Sequence, residues 1–389
     1  MKMMKTHFDV IVAGGGIAGI AAALAAARAG AETLLLEKEY ALGGLATLGL
    51  IIVYLPIDDG LGEKMSASIS EELARCALSL GPGKVPDVWA DENATAEQRK
   101  GTRYEVRYNA ASMMIAAERL LQDAGVHLLY DVRLSGAETQ GDRVHAVQVE
   151  TKRGRMTLTA RAFIDCTGDA DLCHFAGETT VDDDTNRRTG WYYSFDGRKL
   201  QLHMQSDPIY DAIPEDSRLY SGTDPEQISK HVQDMRRMIA GHVENLRAQG
   251  NADAYPLLIP AYHGLRMTRR LETGTHFSED AHDFAWFRDA IGMIGNWKQP
   301  GHRYSIPYRA IRAEHLSNLY AAGRCCCADK SGWDLTRVIP SCAVTGEAAG
   351  LAAARQARDG SAPGFECVQN LITANGGLLR PELFDRIIE

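Results

Sequence analysis

The sequence predicts an α/β fold in which a parallel sheet and a small antiparallel layer are interrupted by an inserted domain of mixed α+β character. Three observations predict it. A strand, a glycine-rich turn, an alanine-rich helix and a second strand follow one another over residues 7–37, an order that lays the two strands parallel. Strand-like runs return at 126–168 and at 318–323, before a second alanine-rich helix at 341–358. Between them, residues 185–310 change character, with frequent aromatics and turn formers. The expected organisation is a discontinuous domain, 1–184 and 311–389, with 55–105 an irregular insertion in it and 185–310 the inserted substrate or cap domain.

Each element has its own signal. HFDVIVA at 7–13 is a short apolar run and reads as a buried strand; 17–29 reads as a helix stopped by Gly30. ETLLLE at 32–37 is the second strand. Within 55–105, ADENATAEQRKG reads as an exposed loop or short helix. Residues 109–124 have helical period and end at Gly125. VHLLYDV, VHAVQVE and MTLTARAFIDCTG read as strands, with turns at QGDR and KRGR. In the inserted domain DPIYDAIPEDS breaks the pattern, and Asp224 and Pro225 open a helix. Ile228, Val232, Met235, Ile239, Val243 and Leu246 mark its apolar face.

Composition narrows the function classes. Apolar residues make up 45% and charged residues 24%, ordinary for a globular enzyme, and the net charge of −9 argues against nucleic acid as a partner. No run is long and apolar enough to cross a membrane. The N-terminal run has the lysines and small residues of a signal peptide, but Asp9 and Gly14–Gly16 interrupt it. Eight cysteines without a C-x-x-C pair or zinc spacing point to free thiols in a reducing, cytoplasmic setting and to no metal.

AGGGIAGIAAA carries Gly14-x-Gly16-x-x-Gly19 between a strand and a helix. Gly14 permits the tight turn, Gly16 lets the backbone approach a pyrophosphate, and Gly19 lets the helix pack on the strand. The helix N-terminus then faces phosphate charge. Glu37, 23 residues after Gly14, ends the next strand where a carboxylate can accept ribose hydroxyls. The pattern is that of a Rossmann-like dinucleotide site. Gly43 and Gly44 fit a loop running close under a flavin, with Thr47 adding a hydroxyl. FIDCTGDAD and LYAAGR are further strands whose ends converge on one dinucleotide at the carboxyl edge of the sheet.

With these motifs the chain resembles the FAD-dependent oxidoreductases of the glutathione-reductase structural type. It is most similar to the subgroup with a C-terminal AGR strand end, an arginine, a cysteine and a G(Q/E)AAG helix, here Gly323-Arg324, Arg337, Cys342 and GEAAG at 346–350. GLRMTRRLETG, YSIPYRAI and RYEVRYNAA resemble it too; 55–100 and 185–255 are least covered. The resemblance implies bound FAD. Gly14, Gly16, Gly19 and Glu37 would hold its ADP part, with Ile17, Ala18 and Lys38 beside them. Gly43, Gly44 and Thr47 would lie near the flavin or ribityl chain, and the strand at Val132–Leu134 would meet adenine. Thr167, Gly168 and Asp169 would close the pyrophosphate side. Gly323 and Arg324 would meet the ribityl or pyrophosphate, although many relatives carry an acid after that glycine. Arg337, Ser341 and Cys342 complete the set, the helix after Pro340 aiming its N-terminus at the flavin. The sequence has no second Gly-x-Gly-x-x-Gly after a strand, which speaks against a dedicated NAD(P)H domain.

Cys325, Cys326 and Cys327 follow the flavin-side strand. Adjacent side chains on extended backbone point to opposite faces, which favours small buried packing over a metal or redox role. Cys342, at a helix start, is expected to have a lowered pKa. On the substrate side, Arg266, Arg269 and Arg270 fit either an anion clamp or pairing with acids such as Glu272. His302 is the candidate general base, with a core or surface histidine as the other reading, and Arg266 and Arg337 are the candidate substrate-orienting groups. WYYSF at 191–195 fits a pocket wall or core. The expected activity is FAD-dependent hydride transfer to or from a small organic molecule, with the electron acceptor and homo-oligomerisation open. The alternatives are an electron-transfer subunit or a non-redox hydratase or isomerase.

Overall fold

The computed structural model describes residues 5–207, 215–275 and 277–389. DPIYDAIPEDS lies largely outside them. The central sheet grows from apolar runs that leave no side of the strand polar. Val10–Val12 and Leu34–Leu36 are almost fully buried, as strands covered on both faces must be. Five strands run parallel in the order His127–Leu129, Thr33–Leu36, His7–Ala13, Gly154–Asp165, Leu319–Ala321. Val12 lies opposite both Leu35 and Ile164, and Ile164 opposite Tyr320. The long strand Gly154–Asp165 serves two layers. Its first half pairs antiparallel with Arg143–Thr151, which pairs in turn with Arg133–Gln140. That outer strand, RLSGAETQ, has no apolar alternation and is half-exposed, so only its partner's hydrogen bonds define it.

Two helices built of small residues cross on one face of the sheet. Ile17–Arg28 buries every residue from Ile17 to Ala26. Ile339–Asp359 lies against it so closely that a Cβ on Gly346 would run into Ala18 O, and one on Gly350 into Ala22 O. The hairpin Ala290–Gly295/Arg303–Pro307 packs on the other side of the same helix, its Gly292 against Val344. Residues 55–105 hold a helix, Ile69–Leu78, that the turn-rich context conceals, and the short helix Ala96–Arg99 capped by Thr95.

A three-stranded antiparallel sheet, Leu200–Ser206, Thr189–Phe195 and Tyr255–Leu258, forms a separate layer. The helix Pro225–Ala248, capped by the Asp224 carboxylate on the N–H groups of Glu226 and Gln227, covers its middle strand. Tyr192, Met235, Ile239 and Val243 are its core, so the first tyrosine of WYYSF is a core residue. The buried face is turned from the expected one. Ile228, Val232 and Leu246 are only half-buried, while His231 and Asp234 are buried. Hydrogen bonds make this tolerable: Asp234 accepts from Tyr220 (2.8 Å) and Lys230 (2.7 Å), and His231 Nε2 meets Arg187 O (3.1 Å).

Two outcomes test this packing. Gly350→Val should cost about 1–3 kcal/mol by overpacking the helix crossing, read as a fall in the urea midpoint. Gly241→Ala, in the covering helix with open space around it, should gain about 0.5–1 kcal/mol. Burial raises the Glu347 carboxyl to about 7, against an ordinary 4.5, with the Ser68 hydroxyl donating to it at 2.6 Å. The folded chain holds that proton where the unfolded chain has lost it, so this stability is complete below 4.5 and disappears as the pH rises through 7. Glu347→Gln should remove that slope from a series of melting temperatures against pH.

Candidate functional site

A crevice of about 1040 Å³ opens at the carboxyl ends of the parallel strands, the place where open α/β sheets bind ligands. Its floor is the glycine turn. Gly14 has φ +101°, and a Cβ there would strike Cys166 O. Gly19 meets Gly14 O in the same way and does not line the crevice; it sets the helix against the strand. Gly16 is different. A Cβ on it would meet no protein atom within 4 Å, so the space above it faces the crevice.

Glu37 closes one end. Its carboxylate accepts from Gly15 N (2.7 Å) and Glu39 N (2.8 Å), and burial pushes it up against these bonds. Gly15 is itself required here, since a Cβ would lie 2.8 Å from Glu37 Oε2. The Gly43–Gly44 loop is clipped to the turn by Gly43 N donating to Gly15 O at 2.8 Å. Val132 and Leu134 line the Glu37 end, and Ile339, Cys342 and Gly323 line the other. Ile17, Ala18, Lys38, Thr167, Gly168, Arg324 and Arg337 line it as well. Most of the expected set is thus brought together.

Five expectations change. The Thr47 hydroxyl donates to Leu42 O (2.5 Å) and is fully buried, away from the crevice. Asp169 does not line it; its carboxylate turns to Arg324 (3.6 Å) and its carbonyl accepts from Arg269 Nε (2.9 Å). Asp171 takes that wall instead, raised to about 6 by burial and then by Asp169 and Asp165. Ser341 is buried under the helix turn and does not line the crevice. Cys342 is pushed up to about 12, because burial outweighs the helix terminus and the nearby Arg324 and Arg337 charges. His302 lies outside this crevice and the next, with Nδ1 2.6 Å from Asp283. A base must reach the proton it takes, and His302 is not among the residues lining either crevice.

The cysteine run separates into three environments. Cys325 Sγ accepts from Gly168 N (3.1 Å) and Ala170 N (3.3 Å), while Cys327 Sγ donates to Thr275 O (3.1 Å). All three are fully buried, and burial raises each thiol. They act as small packing groups under the strand end. Tyr262, which motif reading passed over, reaches back over the crevice to Lys38, with OH to Nζ 3.4 Å and the ammonium 5.0 Å from the ring.

A second crevice adjoins the first, and Arg337 lines both. It is lined by residues drawn from 185–189, 206–207, 264–267 and 330–337, together with Leu219, Glu279 and Lys298.

The family model for FAD dependent oxidoreductases matches residues 9–191 and 182–369. The chain belongs to that family. Its crevice fits FAD: the space above Gly16 is open, the Glu37 carboxylate lines the crevice, and the N-terminus of Ile339–Asp359 reaches it as well. Over 193 residues (45% of the chain) it is 30% identical to the tRNA uridine 5-carboxymethylaminomethyl modification enzyme MnmG of Chlorobium phaeovibrioides. Over 163 residues (40%) it is 35% identical to digeranylgeranylglycerophospholipid reductase 1 of Methanopyrus kandleri. The matched parts span 27% and 39% of those curated relatives. Among solved structures, p-nitrophenol 4-monooxygenase PnpA of Pseudomonas putida is similar over 94% of this chain and 84% of its own, at TM-score 0.49 and 14% identity.

Gly16→Ala separates fold from cofactor. The variant should keep the apo-protein's stability within about 1 kcal/mol, because its methyl group meets no protein atom. FAD affinity should fall about tenfold or more, a loss of at least about 1.4 kcal/mol, measured by fluorescence titration of the apo-protein.

Proposed function

We propose that the protein is an FAD-dependent dehydrogenase or reductase acting on a small organic molecule in the second crevice. The observation that carries this is the shared wall: Arg337 belongs to both cavities, which sets the second against the first. Bound FAD supplies two-electron chemistry, taking or giving a hydride at N5. The residues of the chain do the rest. Glu37 and the glycine turn hold the ADP part, with Val132 and Leu134 at the adenine end. Gly43, Gly44, Gly323 and Arg324 flank the middle of the molecule. The N-terminus of Ile339–Asp359 would offer its N–H groups to the flavin end of the cofactor, where a helix terminus favours negative charge. The AGR strand end, Arg337, Cys342 and GEAAG support membership of the glutathione-reductase-type subgroup that carries this signature.

The thiol pattern supports work in the cytoplasm, since every cysteine is free. No helix of the described residues is long and apolar enough to cross a membrane. The purified protein should be yellow, and anaerobic exposure to a panel of small metabolites should bleach the oxidised flavin band with one of them. Bound FAD that no member of a broad panel reduces, while a hydration or isomerisation proceeds, would sink the redox reading.

A further inference from the structure

The basic run at 266–270 divides in the structure. Arg269 is taken up by Asp169 O (2.9 Å) and Asp171 (2.7 Å), and Arg270 by Glu272 (2.9 Å). Among the described residues, Arg266 has no such partner. Its backbone N–H donates to Asn186 Oδ1 (2.8 Å), but its guanidinium Nη2 is shut off from water and makes no hydrogen bond.

Arg266 stands in the wall of the second crevice, where six lining residues are arginine or lysine and three are aspartate or glutamate. The acids are already engaged. Asp207 holds Arg188 (2.9 Å), and Asp334 holds Lys298 (2.6 Å) and Arg337. Glu279 accepts from Asn296 (2.7 Å) and lies 3.4 Å from Lys298. Arg337, with 8% of its side chain exposed, also keeps a buried Nε–H without a partner. Two arginines of one cavity's lining therefore keep donors without a partner, while the carboxylates of that lining are committed elsewhere. Burial, then the charge of Arg337 and also that of Arg324, pulls the Arg266 guanidinium down to about 9, against the pull of Asp334. A guanidinium does not readily give up its proton, so an incoming anion is the natural relief.

We propose that the second crevice binds a small organic carboxylate, its carboxylate group seated between Arg266 and Arg337. Guanidinium N–H groups match the two oxygens of a carboxylate in plane, and Leu219 and Met267 offer an apolar wall to the rest of the molecule. This rests on the reading that FAD fills the first crevice, and it names the substrate class of that same site.

The test titrates the purified flavin-loaded protein with benzoate, benzamide, butyrate, butyramide and inorganic phosphate, reading the flavin difference spectrum and binding heat. Each carboxylate should bind at least about tenfold more tightly than its amide. Arg266→Gln should abolish that preference with unchanged flavin content, and Arg266→Lys should restore part of it. Equal binding of acid and amide by the unaltered protein overturns the proposal without any variant. So does a failure of both carboxylates to bind, or phosphate binding more tightly than either. If Arg266→Gln emerges folded but without flavin, Arg266 serves the cofactor and the proposal falls. A wild-type protein that takes up no FAD defeats the functional reading itself, whereas a flavin-loaded protein blind to carboxylates defeats only this inference.

Discussion

The contact between the two small-residue helices is the constraint on which everything else in the molecule depends. Ile17–Arg28 begins at the glycine turn and Ile339–Asp359 begins beside Arg337. Their crossing, closed to the limit by Gly346 against Ala18 and Gly350 against Ala22, fixes the separation of the two N-termini. Those N-termini stand along one crevice. A helix pair held apart by larger side chains, with axes at the usual 8–10 Å or beyond, would set the anion-binding ends at a different spacing. The GEAAG run is thus a packing device whose effect is felt in the crevice.

Much of this was legible in the sequence because short-range rules govern it. A glycine that must turn sharply and a carboxylate one strand away carry their own signatures, so Gly14, Gly16 and Glu37 were found. The parallel strands were found because their apolar runs are unbroken. Side-chain direction was not legible. Thr47, Asp169 and Ser341 lie beside the crevice in sequence, yet each turns to the backbone, to an arginine or into the core. Asp171 and Tyr262 line it, and no local pattern marks them, because their positions are set by a short helix and by chain returning from the other layer. The covering helix shows the same limit: a buried His231 and Asp234 read as polar surface until their partners, Arg187 O and Tyr220, are known. His302 has the chemistry of a base, yet it lies beside Asp283 and lines neither crevice.

The arginines divide the labour between the two cavities. Arg324 sits against Asp169 and Leu265 O at the cofactor side, and Arg269 stitches the Asp169–Asp171 turn to the neighbouring strand. Both positions use charge to hold a loop. Arg266 and Arg337 keep donors in reserve, a costly state for a buried group. The cysteines beside them are the opposite case, polar in name and inert in place, since burial holds them as thiols.

One residue, Arg337, lines both cavities, and any effect of one occupant on that side chain would couple it to the other. Whatever the nucleotide does to the reach or charge environment of that side chain alters the affinity of the neighbouring compartment, and the reverse effect is equal in size. The signature would lie in the affinities and not in the order of addition: each guest would bind its half of the molecule with a strength that depends on whether the other is present.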